Sequence, residues 1–455
     1  MTVPNSESVA WKTLRHELAG IEVIEDPAQV AKLSLDYHTF SPILAKQLAG
    51  KQADLVVRPA NEAEVLRVAA ACAHFRVPIT IRGAGTGNYG QCVPLAGGVV
   101  LDMTRLNAIR WLQPGMARVE AGTRLAMIDR QAQELGWEIR LAPSTYRTAT
   151  IGGFIAGGSG GIGSITYGQL GDRGNVLGLR VVTAEEDPQI IELRGDGVQK
   201  VNHAWGINGI ITEVEIPLGP AYSWVEMVVT FTDFMAAARF GWTLGNADGL
   251  IKKLVSIHAW PIPTYLGALQ PYLSPSQHCA LLMVAESALE GVAALVAEYG
   301  GTITFQKVSG DKGLAIAEYT WNHTTLHARS MDPTITYLQT FFPADPGLKL
   351  VEQLYHHYGD EVLMHLEYLR VNGRVTPVGL QLVRYTTAQR LEAIMAEHEA
   401  QGASIANPHT YIIEAGGRKM IDPIQLEFKA MVDPYNLMNL GKMQAPISAV
   451  QPDPE

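Results

Sequence analysis

The chain is 455 residues long, enough for two large domains or three of average size, and carries 35 basic against 45 acidic residues for a formal net charge of −10. Neither sign gathers into a run, which argues against a nucleic-acid partner. Three scattered cysteines (Cys72, Cys92, Cys279), with no CxxC, fit neither a disulfide framework nor a zinc knuckle, and no run approaches the ~18 apolar residues of a membrane span; a cytoplasmic protein is expected, with peripheral membrane contact left open.

Residues 6–19 read as a lead-in helix, with Ser6 or Ser8 as its cap and Val9, Leu14 and Leu18 on its apolar face. From Asp54 the pattern becomes strand, amphipathic helix, strand: LVVRP, EAEVLRVAAACAHFR, VPITIRG. Strands at GVVLDM and ARVEAG follow, then a helix at RLAMIDRQAQELG, and a glycine-dense stretch over 151–174. Strands at VLGLRVVT, QIIELR and GIITEVEIPL bring the first α+β domain to its end near Pro220.

Beyond Pro220 the rhythm restarts. SWVEMVVTF, IKKLVSIHAW, CALLMVAES and TITFQKV read as strands, interleaved with helices at TDFMAAARFGWTLG and 288–299. EVLMHLEYL and VGLQLVRYT read as two further strands and AQRLEAIMAEHEAQG as a helix, giving a second α+β domain with an antiparallel sheet. The tail VDPYNLMNLGKM reads as a loop-rich segment that packs back on the body. The expected division is a lead-in (1–50), a first domain (51–220), a second (221–425) and a returning C-terminal segment (426–455).

Gly85, Gly87 and Gly90 spell a literal GxGxxG after a strand, but a dinucleotide fingerprint needs a helix behind its glycines, and here Gln91 to Gly98 lead to another strand. What remains is a run of small residues whose backbone N–H groups can face an anion, or else a mere flexible turn. A second bare stretch, PSTYRTATIGGFIAGGSGGIGSITYG over 143–168, lies about 60 residues on and reads as too small in side chains to be a core element and too long to be a single turn. Together the two suit a flavin dinucleotide better than a mononucleotide, unless they simply pack on each other.

Five motifs in order, RGAGTG (82–87), PSTYRTATIGG (143–153), GG-x5-YG (160–168), GIITEVEIPL (209–218) and DPYNLMNLGKM (433–443), resemble the FAD-linked oxidases of the vanillyl-alcohol oxidase type. Within them the chain is most similar to the D-lactate dehydrogenase and glycolate oxidase branch. The resemblance implies an α+β fold, with a PCMH-type two-subdomain FAD-binding domain and a substrate (cap) domain built on a ferredoxin-like antiparallel sheet. It implies FAD contacts from Arg82, Gly83, Ala84, Gly85, Thr86, Gly87 and Asn88, from Pro143, Ser144, Thr148, Ile151, Gly152 and Gly153, from Gly161, Tyr167 and Gly168, and from Gly209, Ile210 and Ile211. Relatives with covalent flavin on the first loop carry His where this chain has Thr86, so non-covalent FAD is expected.

A flavin-linked dehydrogenase needs a base at its donor, for which His is suited. His409, in ASIANPHTYIIEAGG, matches the resemblance's Glu-His segment but with Pro408 in place of Glu; Tyr411, on the same face if the segment is extended, and Glu414 stand ready to orient it or touch substrate. His365 and Glu367 alternate in LMHLEYLR and share a face as a polar pair; the branch's HxGxGNxH metal motif is missing, and no metal is expected. His323 and His327 would share a helix face. Arg384, Arg370 and Lys442 are candidate carboxylate binders. The expected activity is hydride transfer from a small 2-hydroxy acid, D-lactate-like or glycolate-like, to flavin N5. The alternatives are a sugar or alcohol oxidoreductase of the same fold, or a non-catalytic flavoprotein subunit of a redox complex. The electron acceptor (quinone, iron-sulfur protein or oxygen) and a homodimer stay open.

Overall fold

A computed structural model of the chain describes residues 9–158, 160–310, 313–416 and 423–445. The first strand-helix-strand unit forms as its sequence dictates. Asn61 caps the helix Glu62–Phe75 by accepting from the Glu64 N–H at 3.0 Å, and the Glu64 carboxylate reaches back to the Ala60 N–H at 2.7 Å. Val65, Val68, Ala69 and Cys72 bury one face of this helix. Parallel pairing of Leu55–Arg58 and Ile79–Arg82 with Val99–Asp102 between them yields a sheet whose strands are almost wholly buried, as expected for parallel pairs. Ile79–Arg82 delivers the chain into the first glycine loop.

The stretch expected to be a lead-in is part of this domain. Its strand Glu22–Ile24 pairs antiparallel with Leu55–Arg58, and Trp11, Leu14 and Leu18 from the helix Val9–Glu17 join the same core. The proposed caps Ser6 and Ser8 lie outside the described residues. A second sheet, in spatial order Ile109–Gln113, Met116–Glu120, Ile210–Pro220, Gly178–Val182, Ile190–Arg194, shares that core, with Trp137–Ile139 paired to the far end of its long central strand.

Beyond Pro220 the chain builds an eight-stranded antiparallel sheet. Its first four strands, Trp224–Phe231, Lys252–His258, His278–Ala285 and Thr302–Val308, stand in spatial order fourth, first, third, second, and the helices Phe234–Asn246 and Leu289–Glu298 cross between them, the ferredoxin-like arrangement. His365–Val371, Arg374–Gly379, Thr340–Phe341 and Ser404–Ile405 extend it. Period-2 alternation divides the strands between two cores: Val225, Met227 and Val229 face the helices, while Trp224 and Val228 face the other way.

Two apolar runs that read as single strands are each broken between sheets. In EVLMHLEYL, Val362–Leu363 pairs in a separate three-stranded sheet, and His365–Val371 enters the large one. In VGLQLVRYT, the strand Arg374–Gly379 ends before Leu382–Arg384 begins in the small sheet. No described helix is long and apolar enough to cross a membrane.

Candidate FAD and donor site

Where the two units meet lies a cavity of about 900 Å³. Its first wall is the loop after Ile79–Arg82, and every residue from Arg82 to Asn88 lines it. The N–H groups of Ala84, Gly85, Thr86 and Gly87 meet no acceptor among the described residues, an orphaned run of donors facing a cavity. Beneath them the Arg82 guanidinium donates to the carbonyls of Leu35 and Ala84. A Cβ on Gly85, whose φ is +68°, would strike that guanidinium, and one on Gly83 would sit 2.1 Å from Thr150 Oγ1. Glycine is required for the loop to lie flat over its cation.

The second wall comes from Pro143, Ser144, Thr150, Gly152, Gly153 and Gly157. Contrary to the expectation that this stretch forms no core element, it contains a helix, Ile151–Gly157, capped by Thr150, whose Ile151, Phe154 and Ile155 pack into the core while its glycines face the cavity. Asn208, Gly209 and Ile211 close the far end. Six residues singled out from motif position do not line the cavity. Thr148 is exposed, Ile151 and Ile210 point into the core, Gly161 exchanges backbone contacts near Ala142, and Tyr167 and Gly168 lie behind the wall, the Tyr167 ring facing Arg140. Trp205, His203, Asn208 and Tyr89 line it and were missed, since nothing in their own spacing marks them.

The tail locks two walls together, helped by a helix (Pro423–Val432) that its sequence did not announce. Asn439 donates through Nδ2 to the carbonyls of Gln91 and Trp205, and its own N–H donates to Ile79 O at 2.7 Å. Lys442, fully buried, donates to Gly90 O, and burial pushes its ammonium down to about 8.

The third wall is the cap. Among its lining residues are Trp321, Asn322, His323 and Leu326 at the start of the helix Asn322–Met331, and Phe341, Leu369, Val378 and Leu380 from the sheet. Trp321 is held at φ +52°, a costly conformation for a bulky residue, by the Glu367 carboxylate, whose Oε1 accepts from Trp321 N–H at 2.7 Å and Ser256 Oγ at 2.8 Å. His365 Nε2 lies 3.0 Å from the same oxygen, and the His258 ring stacks on His365 at 4.3 Å. This polar cluster is fully buried on the cavity side of the sheet, behind Trp321 and Thr324.

Of the six catalytic candidates, His323 alone lines the cavity. Its Nδ1 faces Glu318 Oε2 at 3.4 Å, and Glu318 is ion-paired to Arg147 at 2.9 Å. The hydrogen bond from His323, then the charge of Arg147, holds the Glu318 carboxyl below its ordinary range. A carboxylate at Nδ1 fixes the tautomer that leaves Nε2 a free acceptor. His327 turns away, stacking on Tyr319 with Nε2 2.9 Å from Glu318 O.

The other five lie elsewhere. His409 sits in a turn, 4% exposed, with Nδ1 2.9 Å from Ser41 Oγ and Nε2 3.0 Å from Tyr337 O, so neither nitrogen is available; burial pushes it down to about 4. Tyr411 packs against Gly90 and the Lys442 ammonium, and Glu414 accepts from the N–H groups of Gln444 and Ala445. His365 and Glu367 are sealed in the sheet. Arg384 pairs with Asp332, and Arg370 with Asp248.

The orphaned donors of the first loop, the cation beneath them and the long glycine-lined cavity fit the two phosphates and flat rings of FAD. Comparison with known proteins agrees. A family profile described as "FAD binding domain" matches residues 53–191. The chain is 28% identical over 250 residues to glycolate oxidase subunit GlcD of Escherichia coli K12, covering 52% of this chain and 47% of that one. It is 33% identical over 178 residues to GlcD of Bacillus subtilis (37% of each) and 32% identical over 146 residues to D-lactate dehydrogenase of Archaeoglobus fulgidus (32% of each). The chain thus spans less than half the length of each of these relatives. A solved structure of alkyldihydroxyacetonephosphate synthase superposes with a TM-score of 0.71 at 15% identity, over 94% of this chain and 84% of that one, which establishes a shared fold. The chain thus carries an FAD binding domain over residues 53–191, is similar to glycolate oxidase subunit GlcD and D-lactate dehydrogenase proteins, and has FAD as its cofactor.

Proposed function

We propose that the chain is an FAD-dependent oxidoreductase acting on CH–OH donors, with His323 as the base. The observation that carries this reading is a histidine braced by a carboxylate on the wall of the FAD cavity, with one ring nitrogen free. FAD, when bound, supplies the acceptor for a hydride. His323 Nε2 takes the hydroxyl proton as the carbinol C–H bond gives up its electron pair and the donor becomes a carbonyl compound. Glu318 stabilises the imidazolium that forms, and Arg147 keeps Glu318 ionised. The loop from Arg82 to Asn88 holds the cofactor's phosphates, and the tail fixes that loop.

Relatives named as subunits support a further part of the reading: electrons leave through a separate acceptor, a redox partner protein, a quinone or oxygen. The test is anaerobic addition of D-lactate, glycolate, D-2-hydroxyglutarate, a sugar panel and simple alcohols to the FAD-loaded protein. At least one CH–OH donor should bleach the visible flavin band. Bleaching by dithionite and by none of these donors would overturn the proposal.

A further inference from the structure

Beneath the first glycine loop the protein buries two cations. The Arg82 guanidinium donates to Leu35 O and Ala84 O and lies 3.4 Å from Cys92 Sγ. The Lys442 ammonium is wholly buried and donates to Gly90 O. Arg82 and Cys92 line the cavity, and so do Tyr89 and Gln91 on either side of Gly90. A single layer of loop therefore separates Lys442 from the cavity, and the same loop presents the N–H groups of Ala84 to Gly87 on its other side.

Burying an ammonium costs solvation that its surroundings must return. The groups that face Lys442 are the Asp36 carboxylate, the Cys92 thiol, the Tyr411 ring at 5.8 Å and, beyond the thiol, Arg82. Asp36 is turned to His38, whose N–H and Nδ1 lie 3.0 and 2.9 Å from its Oδ1. Glu414, on the neighbouring segment, accepts from the N–H groups of Gln444 and Ala445. Desolvation outweighs the attraction of Asp36 and holds the amine at about 8, while burial pushes the Cys92 thiol up to about 12. A pyrophosphate on the cavity side brings negative charge across a thin, low-dielectric layer and favours the protonated amine.

We propose that Lys442 is a countercharge of the FAD pyrophosphate, acting through the loop from behind it, and that FAD binding draws a proton from solvent onto its amine. The residue that the sequence offers as a carboxylate binder for the donor serves the cofactor instead. This rests on FAD as the cofactor and is independent of the donor. Because the FAD-bound protein holds the proton more tightly than the free protein, affinity is complete below pH 8 and is lost as pH rises above it.

The experiment titrates the apoprotein with FAD at pH 7 and pH 9, read from flavin fluorescence, and measures proton uptake at pH 8.5 by calorimetry in two buffers of different ionisation enthalpy. The parent should bind FAD about 5–10-fold more weakly at pH 9 than at pH 7 and take up about half a proton per FAD. Lys442→Met, similar in length and uncharged, should bind FAD ~10-fold more weakly at pH 7, with no further loss at pH 9 and no uptake. Lys442→Arg, whose guanidinium stays charged throughout, should bind equally at both pH values, and it decides the matter should the Met variant not fold. Equal affinity at pH 7 and pH 9 in the parent would overturn the inference. So would proton uptake that persists in either variant, since it would belong to a group on the cavity wall such as His203 or His323.

Discussion

Thr86 sits in the loop that carries the orphaned N–H groups, and its side chain has no nucleophile able to bond a flavin ring. Unfolding in guanidinium followed by filtration should therefore release all yellow colour from the polypeptide; colour retained on the chain would contradict non-covalent binding. A second residue-scale prediction concerns His409. Its ordinary pKa of 6.5 falls to about 4 in the folded chain, so between those values the unfolded state binds a proton that the native state does not. Its contribution to stability is complete above pH 6.5 and is lost as pH falls toward 4, by about 3 kcal/mol in all. Denaturant midpoints measured from pH 7 to pH 4.5 should fall less steeply in His409→Gln than in the parent; equal slopes would contradict the assignment. The glycines of the first loop were legible because a flat loop over a cation admits few other residues. The choice among His323, His365 and His409 was not, because it depends on which side of a folded wall each ring faces.

At the scale of elements, the buried Glu367 carboxylate ties the large sheet to the first turn of the helix that carries His323. Glu367→Leu would leave the Trp321 N–H, the Ser256 hydroxyl and His365 without their shared acceptor, at a cost of about 3–5 kcal/mol. Thermal unfolding of the variant checks this, and a loss under about 1 kcal/mol would show that the cluster is not holding the helix. The alternation of His365 and Glu367 was readable as a shared strand face, and the strand places them 3.0 Å apart. Where EVLMHLEYL breaks was not readable, because continuous apolar runs serve either of two buried sheets equally well. The helix Ile151–Gly157 escaped notice because its glycines mask three core residues at helical spacing.

For the whole molecule, the tail is the piece that converts separate loops into one cavity. Asn439→Ala removes the donor to Gln91 O and Trp205 O, which should cost about 1–3 kcal/mol and weaken FAD binding by ~10-fold in a fluorescence titration of the apoprotein. Unchanged affinity would mean that the walls hold their spacing without it. The order of five motifs along the chain made the FAD fold legible, and the return of the tail with it. The cap wall of the cavity was not legible, because its lining comes largely from strand and helix ends scattered over 321–406 that only the folded sheet brings together. The central claim is that a CH–OH donor loses its proton to His323 while reducing FAD in this cavity. Anaerobic stopped-flow reduction of the FAD-loaded parent and His323→Asn by the best donor tests it most directly: the variant should keep stoichiometric FAD and lose ~10²-fold or more in the rate of bleaching, whereas an unchanged rate would contradict the account.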